Sequence, residues 1–187
     1  MATAGPNSAG TGANDASDGT RAWTNTGNIT ASDNTRASTT MVGVELTTQY
    51  LKATNFGFSI PSGATINGIT VNVEKQASGS DDYRVRIVKG GTIGATDRAK
   101  AGAWGASDTT YTYGSSSDLW GETWTDADIN SSTIGFAISA ERPGFKVAGF
   151  CAVDHITITI DYTAGGASFI AKSNPRPNQA INRASTF

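Results

Sequence analysis

The chain has one cysteine and one histidine in 187 residues, and this scarcity removes several chemistries at once. Cys151 has no second thiol to bond, so the chain holds neither an internal disulfide nor a Cys-x-x-Cys metal spacing. His155 alone limits any His-based triad or multi-histidine metal site. Charge is also scarce: 14 basic and 16 acidic residues make up 16% of the chain and leave a net charge of -2. The Lys and Arg residues form no cluster, so nothing favours nucleic acid or an anionic membrane surface. No apolar run approaches the roughly 20 residues that span a bilayer. The opening MATAGPNSAG has neither the basic nor the apolar part of a secretory signal, which predicts a protein made in a cytoplasm and not exported. On that reading the sequons at Asn28 and Asn130 are chance. No Gly-x-Gly-x-x-Gly and no phosphate-loop motif occurs.

What remains is rich in Gly, Ala, Ser, Thr and Asn, with 22 glycines. Few charges and many Thr and Gly residues read as a β protein with many turns. Ile156, Ile158, Ile160 and Tyr162 alternate with His155, Thr157, Thr159 and Asp161, which predicts a long amphipathic strand. Ile134, Phe136 and Ile138 alternate, as do Tyr83, Val85 and Ile87, and Phe56, Phe58 and Ile60 share one parity. Thr125 to Asp128 fits the start of one helical turn, with Thr125 as its cap.

"FSIPSGATINGITVNVE", Phe58 to Glu74, holds two turn signals, Pro61-Ser62-Gly63 and Asn67-Gly68. The apolar set is even up to Ile66 and odd from Ile69 through Val71 and Val73. A bulge at Asn67-Gly68 keeps both sets on one buried face, with Gly68 suited to a left-handed conformation, so Pro61-Ser62-Gly63 is the expected reversal. The rival reading is an Asn-Gly hairpin.

The spacing predicts an all-β fold: a two-sheet antiparallel sandwich, jelly-roll-like, of about eight strands with extended terminal arms. Residues 1–20 read as an N-terminal arm or extended segment, 21–163 as the sandwich, and 164–187 as an extended C-terminal tail. In that tail Phe169, Ile170, Pro175, Pro177, Ile181 and Phe187 read as anchors for a neighbouring surface.

Candidates for chemistry are few. Asp81, Asp82, Asp118, Glu122, Asp126 and Asp128 could pair for glycoside hydrolysis, but all sit in loop-like stretches where a solvated carboxylate is the simpler reading. An oxygen-rich loop of a sandwich can hold Ca²⁺, yet Asp15, Asp18 and Asp33 are too dispersed to form a calcium loop, so no metal or cofactor is expected. Trp104, Tyr111, Tyr113, Trp120 and Trp124 fall close together. Exposed rings would stack on sugars. The four-residue spacing of Trp120 and Trp124, next to the helical turn, favours rings that cap the core.

Several blocks carry a family resemblance: "TTQYLKATNFGFSIPSGATINGITVNVE", "VRIVKGG", "SSDLWGETWTDADINSSTIGFAISA" and "VDHITITIDY", preceded by "SAGTGANDASDGTRAWTNTGNITASDNTRAS". Together they resemble a β-sandwich module that recurs in virion proteins of tailed bacteriophages and in related prophage genes. The resemblance covers about residues 8–163 and leaves the tail outside. It implies a non-enzymatic structural or adhesive role at the virion surface. Capsid decoration is the favoured form, with the major capsid protein or other virion proteins as partners and a homo-oligomer, a trimer, as the assembly. The alternative is a carbohydrate-binding module or receptor-binding adhesin on a fibre or tail.

Overall fold

The computed structural model describes residues 1–144 and 148–166. Within them lie ten strands: β1 (Ala2–Ser8), β2 (Thr11–Asp15), β3 (Ala37–Val42), β4 (Tyr50–Thr54), β5 (Thr65–Ser78), β6 (Asp81–Lys89), β7 (Thr92–Ile93), β8 (Thr109–Ser115), β9 (Gly135–Glu141) and β10 (Ala148–Thr163). One helical turn, α1 (Asp126–Asn130), precedes β9. Its cap is the expected one: the Thr125 hydroxyl accepts from Asp128 N at 3.1 Å, and Asp128 Oδ2 accepts from Thr125 N at 2.9 Å.

The strands form two antiparallel sheets. The first runs β1-β10-β5-β8, with β3 also paired to β10. The second runs β2-β4-β9-β6-β7. The long alternating strand β10 is the spine of the first sheet. One of its edges carries β3 against Ala148–Val153 and then β1 against residues 157–162, and the other edge pairs with β5. Its inward residues Ile156, Ile158 and Ile160 are fully buried. They share one core with Ile69, Val71 and Val73 of β5, Val85 and Ile87 of β6, and Phe136 and Ile138 of β9. Burying each such side chain contributes roughly 1.5–3 kcal/mol.

Within residues 1–20 the chain is extended, but its strands belong to the sandwich itself and are not laid outside it. β1 is the edge strand of the first sheet and β2 the edge strand of the second. Small side chains gave the segment no apolar signal, but its backbone completes both ladders. Its fit depends on that smallness: a Cβ at Gly12 would stand 1.9 Å from Thr26 O. Asn14 also clasps Trp23, accepting from its N at 2.8 Å and donating to its O at 2.9 Å.

Asn67-Gly68 is a bulge within a continuous β5. Ile66 pairs with Tyr162 and Gly68 with Asp161, so Asn67 is the extra residue and Ile66 and Ile69 are both buried. Pro61 to Ala64 is the tight turn, closed by Ala64 N donating to Pro61 O at 3.2 Å, with Gly63 at φ +76°. One detail differs from expectation. Gly68 is not among the left-handed glycines. The position needs glycine because an added Cβ would lie 2.2 Å from the Ser116 carbonyl carbon.

Two strand expectations are also corrected. Phe56, Phe58 and Ile60 are buried, but they follow β4 outside any ladder, with Asn55 and Gly57 left-handed. Side-chain amides supply the missing backbone bonds: Asn7 Nδ2 donates to Phe56 O at 2.9 Å, and Asn130 exchanges two bonds with Ile60 at 2.6 and 2.9 Å. In β6, Tyr83 is the unpaired residue of a second bulge, so Asp82 points inward with Val85 and Ile87 in its place.

Gly68→Ala should lower the unfolding free energy by roughly 2 kcal/mol, because the clash is with rigid backbone. The measurement is a urea unfolding curve. Asn67→Ala, at the part-exposed bulge position, should stay within roughly 1 kcal/mol of wild type.

Candidate functional site

The five aromatic rings do not form one exposed surface. Trp104, Tyr113 and Trp120 are buried, while Tyr111 and Trp124 are partly buried and pack against the core. Trp120 meets Phe136 edge to face at 6.1 Å and donates through Nε1 to Ile69 O at 2.9 Å. Trp124 donates to Leu119 O at 3.0 Å. Three of the five rings are therefore core residues, in keeping with the core-capping reading of this cluster.

Three of the rings enclose something the sequence reading passed over, a lysine in the core. Lys75 continues the odd, inward parity of Val71 and Val73, and its side chain is 0% exposed. Its ammonium lies 4.0 Å from the centre of the Trp104 ring, 4.5 Å from Tyr111 and 5.1 Å from Tyr113. It bonds Asp82 Oδ1, and Asp82 is itself buried. The carboxylate is fully engaged: it also accepts from Trp104 Nε1 at 2.7 Å, Tyr113 OH at 2.7 Å and Lys100 N at 3.0 Å. Lys75 also donates to the Tyr113 hydroxyl. Burial lowers the lysine pKa from 10.5 to about 8 despite the attraction of Asp82, and burial with the Asp82 charge pushes the Tyr113 phenol upward. Every polar atom named has a partner, so the cluster is built to hold still.

A second charged group lies on the outer face of the same sheet. Asp154 is the extra residue of a third bulge, in β10, between Val153 opposite Lys75 and His155 opposite Glu74. One carboxylate oxygen each from Glu74, Asp108 and Asp154 lie within 4.8 Å of one another. Asp154 is 1% exposed. Its Oδ2 accepts from Asn34 N at 3.2 Å, and its Oδ1 is buried without a hydrogen bond. Arg36 is committed elsewhere: its Nε and Nη2 bond Asp108, and both terminal nitrogens also bond Asn34. Burial raises the Asp154 pKa, and the charges of Glu74 and Asp108 add to it. These three acids could hold a metal. Sequence reasoning missed them because they come from three separate segments and Asp154 sits at a bulge.

Four of the other candidates have ordinary partners, while Asp81 keeps one buried oxygen without a hydrogen bond. Asp118 forms a two-pronged pair with Arg98 at 2.8 Å on both arms, which holds its pKa down. Asp128 caps α1 and lies 3.6 Å from Lys89. His155 bonds the Ser8 hydroxyl at 2.9 Å on the outer face. Asp15 pairs with Lys52 at 2.7 Å. The tail residues Phe169, Ile170, Pro175, Pro177, Ile181 and Phe187 lie outside the described residues. No ligand-sized cavity occurs among the described residues.

No family model and no curated protein matches the chain. Among solved structures, one described as "CBM4 structure and function" matches with a TM-score of 0.38 at 16% identity, covering 71% of this chain and 87% of that one. The likeness is one of fold.

The lysine gives a pH signature. With its pKa at 10.5 unfolded and about 8 folded, the unfolded chain holds more protons between those values. The contribution of this group to stability therefore rises with pH across that window. At about 1.4 kcal/mol per pKa unit, the rise from pH 8 to about pH 10 should be roughly 2 kcal/mol. The buried Cys151 thiol and Tyr113 phenol, both pushed up by burial, act in the opposite sense above about pH 9. The rise is therefore read as the difference in urea unfolding at stepped pH between wild type and the Lys75→Met, Asp82→Asn double variant, which keeps the volume and removes both charges.

Proposed function

We propose that the chain is a non-enzymatic structural protein of a tailed-phage virion, acting as a capsid decoration protein. In this reading it binds the outer surface of the major capsid protein shell, as a trimer at local three-fold positions, and stabilises the shell mechanically. The sequence blocks that resemble phage virion modules motivate it. One structural observation supports it: an apolar patch at one end of the first sheet. Val44 is 95% exposed, and Val42 and Leu46 flank it. Phe150 is exposed and pairs with Thr40, which puts it on the same outer face as Val42 within diagonal reach. Several exposed apolar side chains at one end of a polar sandwich suit a surface for protein contact. Weak contacts repeated over a symmetric shell add up through avidity.

The alternative, a carbohydrate-binding module or adhesin, would have to use Tyr111 and Trp124, the two partly exposed rings of the five. Loss of glycan-array binding on Trp124→Ala would support it.

The test of the main reading is co-sedimentation with particles stripped of the protein. A Val44→Asp, Leu46→Asp double variant should bind at least about tenfold more weakly, a loss of ~1.4 kcal/mol. Its thermal stability should match wild type, since both side chains are exposed. Undiminished binding would remove this patch from the mechanism.

A further inference from the structure

Glu74, Asp108 and Asp154 bring three carboxylates together beside one guanidinium, Arg36, whose single charge acts on all three while its hydrogen bonds go to Asp108 and Asn34. Arg36 donates both bonds of its fork to Asp108. Asp154 is held at 1% exposure with one oxygen lacking any donor. An unpaired buried carboxylate oxygen costs several times what a satisfied one does. The neighbouring chemistry rules out two simple remedies. Lys75, next in sequence to Glu74, points into the core and is consumed by Asp82. His155, next to Asp154, is turned to Ser8.

We propose that Glu74, Asp108 and Asp154 form a binding site for a calcium ion. The donor set is all carboxylate oxygen, with no thiolate or imidazole, which suits a hard cation better than a softer one. Two oxygens on one Ca²⁺, each about 2.3–2.6 Å from it, can be no more than about 5 Å apart. The three oxygens meet that condition, lying within 4.8 Å of one another. The ligands come from β5, from the segment before β8, and from the bulge of β10, so an ion here would join three segments of one sheet. The loop that carries Asn34 and Arg36 would be tied to them through the Asn34–Asp154 bond. Water completes the shell, as is usual for this ion. The site is independent of the proposed virion role and stands or falls separately.

The experiment uses the full chain, stripped with a chelator and titrated with CaCl₂ by calorimetry and by thermal unfolding. The expected result is a saturable heat with one ion per chain and a rise in Tm of several degrees. Asp154→Asn should abolish the heat and the calcium-dependent rise. It should also raise the Tm of the stripped protein, because it removes one of three clustered like charges. Glu74→Gln, at a part-exposed position, is the second variant and should weaken binding without unfolding the chain. No heat with the stripped wild type would overturn the proposal. So would a Tm rise reproduced by NaCl at equal ionic strength, or calcium binding unchanged in both variants.

Discussion

A charge buried in the core is the constraint around which this sandwich is arranged. Lys75 points from one sheet into the interior, and Asp82 points into it from the other. Neither could stay there alone, since an unpaired buried charge costs several kcal/mol. The pair in turn fixes its surroundings. Trp104 must bring its Nε1, Tyr113 its hydroxyl and Lys100 its backbone N–H to the same carboxylate. The segment 98–104 lies outside the named strands and touches β6 at the Ala103–Asp81 bridge and a few backbone bonds, and two of the contacts with the Asp82 carboxylate pin it to the core. A hydrophobic pair of the same volume would tolerate sliding of one sheet over the other. An ion pair with fixed partners favours the register in which all its donors meet the carboxylate.

That register is set by bulges as much as by the ladder. Asn67, Tyr83 and Asp154 are each an extra residue, and each changes which parity faces the core from that point on. At Asn67 the change keeps Ile66 and Ile69 on one face. At Tyr83 it turns an aspartate inward and an aromatic ring outward. At Asp154 it adds a carboxylate opposite the Lys75–Glu74 step. Two of these bulges thus place an acid that plain alternation would have placed elsewhere.

This explains what could be read from the sequence. The first bulge was legible because apolar residues stand on both sides of it and their parity visibly switches. The sandwich, the long β10 and the Thr125 cap were legible for the same reason: apolar period and capping chemistry are local signals. Lys75 was also within reach, since it sits on the odd set with Val71 and Val73, although its residue type argues for solvent. Asp82 was out of reach, because Tyr83, Val85 and Ile87 alternate cleanly and only the partner strand shows that Tyr83 is unpaired. The acidic cluster was out of reach because its members are joined by pairing across the sheet, not by spacing. Residues 2–15 were placed outside the sandwich for another reason. Their contribution is backbone hydrogen bonding and close approach, and small side chains announce neither.

The two charged groups meet at one step of the chain, Lys75 inside the sheet and Glu74 outside it, and they show two answers to one physical problem. Inside, no solvent ion can enter, so the protein must carry every compensating donor itself, and the Asp82 carboxylate has four. Outside, the loop over Asp154 excludes bulk water but leaves Glu74 and Asp108 partly exposed. There the sequence supplies three acids and a single arginine already committed to one of them. A fold that compensates its inner charge so completely has not run short of donors by composition alone, since Asn34 and Arg36 are both present at the outer group. The residual negative charge on the outer face is therefore a local property of that cluster, and a cation from solution is the compensation that its geometry admits.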